Sequence, residues 1–289
     1  LVLTLEVRDA AFSYDGRKAV FEGLNLTVEP GEVFCLLGPN GCGKTTLLRC
    51  IAGMERLRRG EVLIDGRSLE RMRRKEVATL IGYIPQEHGS AFPYTVLQIV
   101  LMGRAPYLNV FSSPSAQDVL LAEAALERVG MSHLRDRRYT GISGGEKQMV
   151  LIARVLAQQP RVLLLDEPTS HLDFRNQTLV LSMIRKLATA QRLTIIMTSH
   201  SPNDVFALAD RVALMGYGGF IAAGRPGEVL TDENLSRTYR MPVKVYGMLH
   251  HRFCVPALDD PGLFPPGNTG ADVNQSGKDA PRIKRKEEG

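Results

Sequence analysis

The sequence predicts an α/β fold carrying a helical insertion. Short, wholly apolar runs at Val33–Leu37 and Val162–Leu165 read as strands buried on both faces, the pattern of a parallel sheet. Between about Glu87 and Gln159 strand patterns give way to helical ones, and strands return afterwards. Length sets the scale: at roughly 150 residues per domain, 289 residues allow two domains or one large α/β domain with an appendage.

Taken in order, Leu3–Tyr14 alternates apolar and polar residues as a half-buried strand does, and Asp15-Gly16 marks a turn. Leu24–Val28 is a second strand, ended by Pro30-Gly31. Val33–Leu37 stops at Gly38, and Lys44–Ala52 is a helix closed by Gly53. Val62–Ile64, the turn Asp65-Gly66, a basic helical stretch around Arg71–Glu76 and the strand Ile81–Ile84 follow. The insertion holds helices at Thr95–Met102, Ala116–Val129 and Glu146–Gln158, the first two separated by a loop over Gly103–Ser115. Strands return at Val162–Leu165 and Leu193–Thr198 around a helix at Phe174–Ala190. Arg211–Met215 and Phe220–Ala223 make an antiparallel hairpin through Gly216–Gly219. Residues 241–256 add a small β element, and the Pro-, Gly- and Lys-rich stretch 257–289 has the composition of a disordered tail.

Composition narrows the function classes. Hydrophobic residues at 44% and charged residues at 23% suit a globular chain with a sizeable core. No stretch nears the ~20 apolar residues of a membrane span, so the chain is not expected to cross a bilayer by itself. Cys35, Cys42, Cys50 and Cys254 lack the spacing of a metal knuckle and read as reduced thiols. The net charge of +5 fits nucleic acid, an anionic membrane surface or phosphate ligands equally well.

Three motifs carry chemistry. Gly38-Pro39-Asn40-Gly41-Cys42-Gly43-Lys44-Thr45 matches the phosphate loop GxxxxGK[ST], placed between strand and helix as its mechanism requires. Backbone N–H groups and the helix's positive end face the phosphates, Lys44 reaches the β/γ oxygens, and Thr45 binds Mg²⁺. Val162–Leu165 ends in Asp166-Glu167, which fit a Mg²⁺ carboxylate and the group that polarises an attacking water. Ser143-Gly144-Gly145-Glu146 opens a helix whose N–H groups could grip a phosphate, and it is equally a capping box of Ser143 with Glu146. One triphosphate loop needs no second gripping helix, so the natural client of Ser143–Glu146 is a neighbouring subunit's nucleotide.

In their order along the chain these motifs resemble the ATPase subunits of ABC transporters, over about residues 3–240. The resemblance implies a P-loop NTPase core with an antiparallel β subdomain and a helical signature subdomain at about 87–160, within an ATPase domain of residues 1–240. It implies ATP and Mg²⁺ as cofactors, bound by Gly38–Thr45 with Thr46, and by Ser143–Glu146 from the other subunit. Tyr14 stands where the family stacks an aromatic on adenine, a role expected ahead of the alternative, a core tyrosine. Gln86 resembles the glutamine that links the metal to the helical subdomain. Ser170-His171-Leu172-Asp173 resembles the loop crossing the dimer seam, and His200 the switch histidine on the γ-phosphate. Glu146 replaces the Gln of the most familiar signature.

The implied machine is a head-to-tail dimer with two ATPs at its seam, hydrolysing ATP through Glu167, Gln86 and His200. Permease subunits would dock near residues 87–112 and hold the chain peripherally on the cytoplasmic side of the cell membrane. A substrate-binding protein would act indirectly, and no nucleic acid would be involved. The wording of Phe92–Tyr107 and of Ser170–Phe174 resembles importers of iron(III)-siderophores, haem and cobalamin. Iron chelate uptake is expected first and cobalamin next, with haem or molybdate/tungstate behind. Two other classes compete: a soluble ABC ATPase outside transport, and a phosphoryl-transfer kinase, against which Ser143–Glu146 and His200 argue.

Overall fold

The computed structural model describes residues 4–86, 93–109, 112–249 and 251–258. Leu5–Phe12 (β1) and Phe21–Val28 (β2) pair antiparallel; Val33–Leu37 (β3) leads through the Gly-rich loop into Lys44–Ile51 (α1). Arg59–Ile64 (β4), Arg67–Ser68 (β5), Arg74–Leu80 (α2) and Ile81–Ile84 (β6) follow. Val96–Leu101 (α3), Ala116–Arg128 (α4) and Gly144–Ala157 (α5) make the helical part, before Val162–Leu165 (β7), Phe174–Gln191 (α6) and Thr194–Ser199 (β8). Pro202–Leu208 (α7), Arg211–Gly216 (β9), Gly219–Gly224 (β10), Pro226–Val229 (α8) and Asp232–Tyr239 (α9) lead to a hairpin of Val243–Met248 (β11) and His251–Pro256 (β12).

The expected strands are present, most longer or shifted by a residue or more. Two local readings change. The basic helix begins at Arg74 rather than Arg71, because Glu76 accepts the Arg73 backbone N–H at 2.9 Å and caps it there, after a 3₁₀ turn at Leu69–Arg71. Residues Met102–Tyr107, expected as a loop from Gly103, form a 3₁₀ turn that continues α3. Most of the expected tail, from residue 259 on, lies outside the described residues.

Two sheets position the site. An antiparallel sheet runs β2-β1-β4-β5, and a mixed sheet runs β10-β9-β3-β8-β7-β6, parallel except for β10. The strands of the mixed sheet alternate between two cores. Val33, Cys35 and Leu37 face the helices, while Phe34 and Leu36 face α1 and the antiparallel sheet. Leu163 and Leu165 of β7 point to the helical side, Val162 and Leu164 to the other. Alternation that the apolar sequence hides is thus present in space: both faces are covered, so both sets are apolar. Because β8 lies between β3 and β7, the carboxyl ends of all three strands converge, with Leu37 opposite Ser199 and Leu165 opposite Met197. That edge is where ligands bind in open α/β sheets.

Each long helix of the insertion starts with a reciprocal cap: Thr95 with Gln98, Ser115 with Asp118, Ser143 with Glu146. No helix among the described residues is long and apolar enough to cross a membrane.

Candidate functional site: a nucleotide cradle

The loop after β3 places Lys44, first residue of α1, inside the molecule at 4% exposure. Its ammonium donates to the carbonyls of Gly38 at 2.8 Å and Pro39 at 3.0 Å, and stands 3.6 Å from Glu167 Oε1. Gly43 caps α1 with φ +105°, and a Cβ there would meet Val20 Cγ1 at 2.8 Å; only glycine fits this turn. The loop therefore brings a cation and the positive end of α1 to one point, the electrostatics of a phosphate site. Cys42 and Cys50 are buried among these residues, and burial pushes both thiols up, Cys50 to about 12. They pack and do not act as thiolates.

Asp166 follows β7 and is 2% exposed. Its Oδ1 accepts from Thr45 Oγ1 at 3.0 Å and from Thr198 Oγ1 at 2.8 Å, and its Oδ2 accepts from the Tyr83 hydroxyl at 3.3 Å. Glu167 turns away with φ +48°, an uncommon conformation for a non-glycine residue, held by its N–H on Thr198 Oγ1 at 2.8 Å. Its Oε2 accepts from Gln86 Nε2 at 2.9 Å and lies 3.4 Å from His200 Nδ1, after β8. Four expected residues, Lys44, Gln86, Glu167 and His200, thus meet around one carboxylate. Gln86 reaches Glu167, and no hydrogen bond from Gln86 to Asp166 is present among the described residues.

Tyr14 is 66% exposed, edge-on to Phe12 at 4.9 Å, and its hydroxyl pairs with Thr46 Oγ1 at 2.9 Å. Its open ring is available for stacking beside the loop, which a core tyrosine would not be.

Ser143–Glu146 stands apart. Ser143 N–H and Oγ both donate to Glu146 Oε2 at 2.8 Å, and the Ser143 N–H holds the Glu146 carboxyl below its usual range. No hydrogen bond or ion pair among the described residues joins it to the phosphate loop. It sits beside the Ser170–Asp173 loop instead: a Cβ on Gly145 would collide with Asn176 at 2.4 Å, and one on Gly144 would touch Leu172 at 3.8 Å. Within one chain, Ser143–Glu146 and the Ser170–Asp173 loop are therefore neighbours.

Sequence reasoning missed two residues here, Thr198 and Tyr83. Thr198 stands near the carboxyl end of buried β8, after the apolar run Ile195–Met197, and a buried hydroxyl there was a readable signal. Tyr83 is the only polar-tipped residue of β6.

Asp166, Thr45 and Thr198 supply only oxygen donors, and no cluster of three or more His, Cys, Asp or Glu forms among the described residues. This fits Mg²⁺, which keeps waters and takes phosphate oxygens rather than a full protein cage.

A family model described as ABC transporter matches residues 21–170. The chain is 38% identical over 239 residues to the molybdate import ATP-binding protein MolC of Haemophilus influenzae, covering 83% of this chain and 89% of that protein. It is 36% identical over 243 residues to the "Probable iron chelatin transport ATP-binding protein" of Helicobacter pylori, covering 84% and 95%. A solved inward-facing ABC transporter assigned to the metal-chelate type superposes with a TM-score of 0.80 at 35% identity, over 89% of this chain and 98% of that one. With its phosphate loop, paired strand-end carboxylates and these relatives, the chain belongs to the ABC transporter family as an ATP-binding subunit, an ATPase coupled to transport.

Proposed function

We propose that this subunit powers an importer of a metal chelate, iron(III)-siderophore first, as a head-to-tail dimer under separate permease subunits. The single observation that carries the catalytic part is the convergence of Lys44, Gln86 and His200 on Glu167. Lys44 and the α1 N-terminus hold the β- and γ-phosphates, and Tyr14 stacks on the base. Mg²⁺ bound by Thr45 and Asp166 would neutralise charge developing on the phosphates. Glu167 accepts a proton from water as the water oxygen attacks the γ-phosphorus and the bond to ADP breaks. Gln86 and His200 orient Glu167. Ser143–Glu146 of the second copy closes over the same γ-phosphate, which its place beside Ser170–Asp173 supports.

A groove of about 950 Å³ supports the permease reading. Met54, Leu57 and Val77 line one side of it, and Pro106 and Gln158 of the helical part line the other. It is the cleft where a helix of a membrane partner would meet both parts. Pro106 belongs to the segment expected to dock; residues 87–92 and 110–111 of that segment lie outside the described residues.

The metal-chelate structure and the iron chelatin relative support the cargo reading. Molybdate, placed behind on sequence, gains from the Haemophilus protein; cobalamin has no counterpart among the relatives named above. Haem stays an alternative cargo, supported by the hemin import ATP-binding protein HmuV of Myxococcus xanthus, 38% identical over 250 residues.

Three measurements test this. The chain should hydrolyse ATP with no phosphoryl acceptor and co-purify with a polytopic membrane protein; isolation as a lone ATPase from its own host would defeat the transport reading. Lys44→Ala removes a buried cation from the phosphate site. ATP that raises the wild-type melting temperature by several degrees should raise the variant's by less than about 1 °C. An undiminished rise would remove Lys44 from the site.

A further inference from the structure

Asp166 is held unevenly. Oδ1 takes two hydroxyls, from Thr45 and Thr198, whereas Oδ2 takes one partner among the described residues, the Tyr83 hydroxyl. The strand register explains the reach. Tyr83 pairs with Leu164 across the parallel β6·β7 ladder, and Asp166 lies two residues beyond Leu164, on the same face. The Arg49 guanidinium of α1 hydrogen-bonds the same hydroxyl. The Tyr83 hydroxyl donates to Oδ2, because a carboxylate oxygen can only accept. The other end of the residue faces elsewhere: Tyr83 lines the groove between α2 and the helical part.

We propose that Tyr83 is a positioning residue for the metal site, its hydroxyl fixing the Oδ2 of Asp166 while its ring forms part of the groove wall. This rests on the reading of Asp166 as the Mg²⁺ carboxylate. When the Thr45 hydroxyl turns to the metal, Asp166 keeps Thr198 on one oxygen and Tyr83 on the other. Two holds on different oxygens define the plane of the carboxylate; one leaves it free to rotate about Cβ–Cγ. Misorientation weakens the metal site without removing a ligand. The same side chain is what an occupant of the groove would touch, so a partner there is one residue from the metal.

The test is a Mg²⁺ titration at fixed ATP on the full chain, read by the rise in melting temperature and, separately, by turnover. Tyr83→Phe keeps the ring and removes only the hydroxyl. The Mg²⁺ midpoint for ATP stabilisation should rise about tenfold, as losing a hydrogen bond to a charged group predicts, with turnover at saturating Mg²⁺ within about threefold of wild type. Tyr83→Leu, which also removes the ring from the groove wall, should show the same midpoint as Tyr83→Phe. A wild-type midpoint in Tyr83→Phe overturns the proposal, and so does a shift confined to Tyr83→Leu, because packing would then be the whole role. If ATP fails to stabilise even the wild-type chain at any Mg²⁺ concentration, the nucleotide-site reading falls, and the proposal with it.

Discussion

Glu167→Gln should lower ATP turnover about a thousandfold while leaving nucleotide binding intact or tighter. The replacement keeps the shape and can still receive Gln86 Nε2, now 2.9 Å from the carboxylate oxygen. What it loses is basicity: an amide oxygen cannot take the proton from the attacking water, and general-base catalysis contributes about 10²–10⁴-fold. It also removes a negative charge 3.6 Å from the Lys44 ammonium and beside the incoming phosphates. Lys44 is then free of a competing anion, so ATP should bind at least as well. With hydrolysis blocked and two phosphate grips available, the variant should accumulate as an ATP-loaded dimer. Light scattering or gel filtration with ATP and Mg²⁺ checks this, alongside phosphate release. Turnover within tenfold of wild type would show that Glu167 is not the base. A monomer under loaded conditions would count against Ser143–Glu146 serving a second copy.

What was legible in the sequence depended on how local the determinant is. The phosphate loop and the Asp166-Glu167 pair are contiguous, and their chemistry follows from residue type and spacing. The helix starts of the insertion were equally local, since each cap spans four residues. Apolar β3 and β7 were readable as buried on both faces, but not which residue faces which core, because a run such as Val33–Leu37 has no polar phase. Helices α7, α8 and α9, of 7, 4 and 8 residues, fall below the window in which a 3.6-residue period stands out. Among the site residues, Tyr83 and Thr198 were missed because the partner of each, Asp166, is 83 and 32 residues away. No spacing rule reaches across a sheet; the ladder register does. Ser143–Glu146 shows a converse limit. Its cap is plain in sequence and structure alike, while the phosphate-gripping role proposed for it concerns a second copy that one chain does not supply.

Arg104 is the clearest case of a determinant seen only in three dimensions, and its loss should be the most destabilising substitution outside the nucleotide site. It is 6% exposed in the 3₁₀ turn after α3, and Asp118 in α4 is 8% exposed. The guanidinium donates to Asp118 Oδ1 at 2.8 Å and to the Ala157 carbonyl at the end of α5 at 2.8 Å, and lies 3.9 Å over the Tyr107 ring. One side chain therefore ties the turn to two helices, beside Pro106 in the groove wall. Arg104→Ala strands a buried carboxylate and frees a helix-end carbonyl; breaking one partner of a buried pair should lower the melting temperature by roughly 5–10 °C. The pH dependence separates this pair from simple packing. Arg104 first, then Ser115, holds the Asp118 carboxyl at about 2, below its ordinary value. A depressed carboxylate contributes stability above its unfolded pKa, and that contribution fades as pH falls from about 4 toward about 2. In Arg104→Ala the main cause of the depression is gone, so the deficit relative to wild type should be largest near neutral pH and narrow on acidification through that window. Arg104→Met, which keeps much of the stem's packing, should show the same narrowing if charge is responsible. A deficit independent of pH in both variants would assign the role of Arg104 to packing alone.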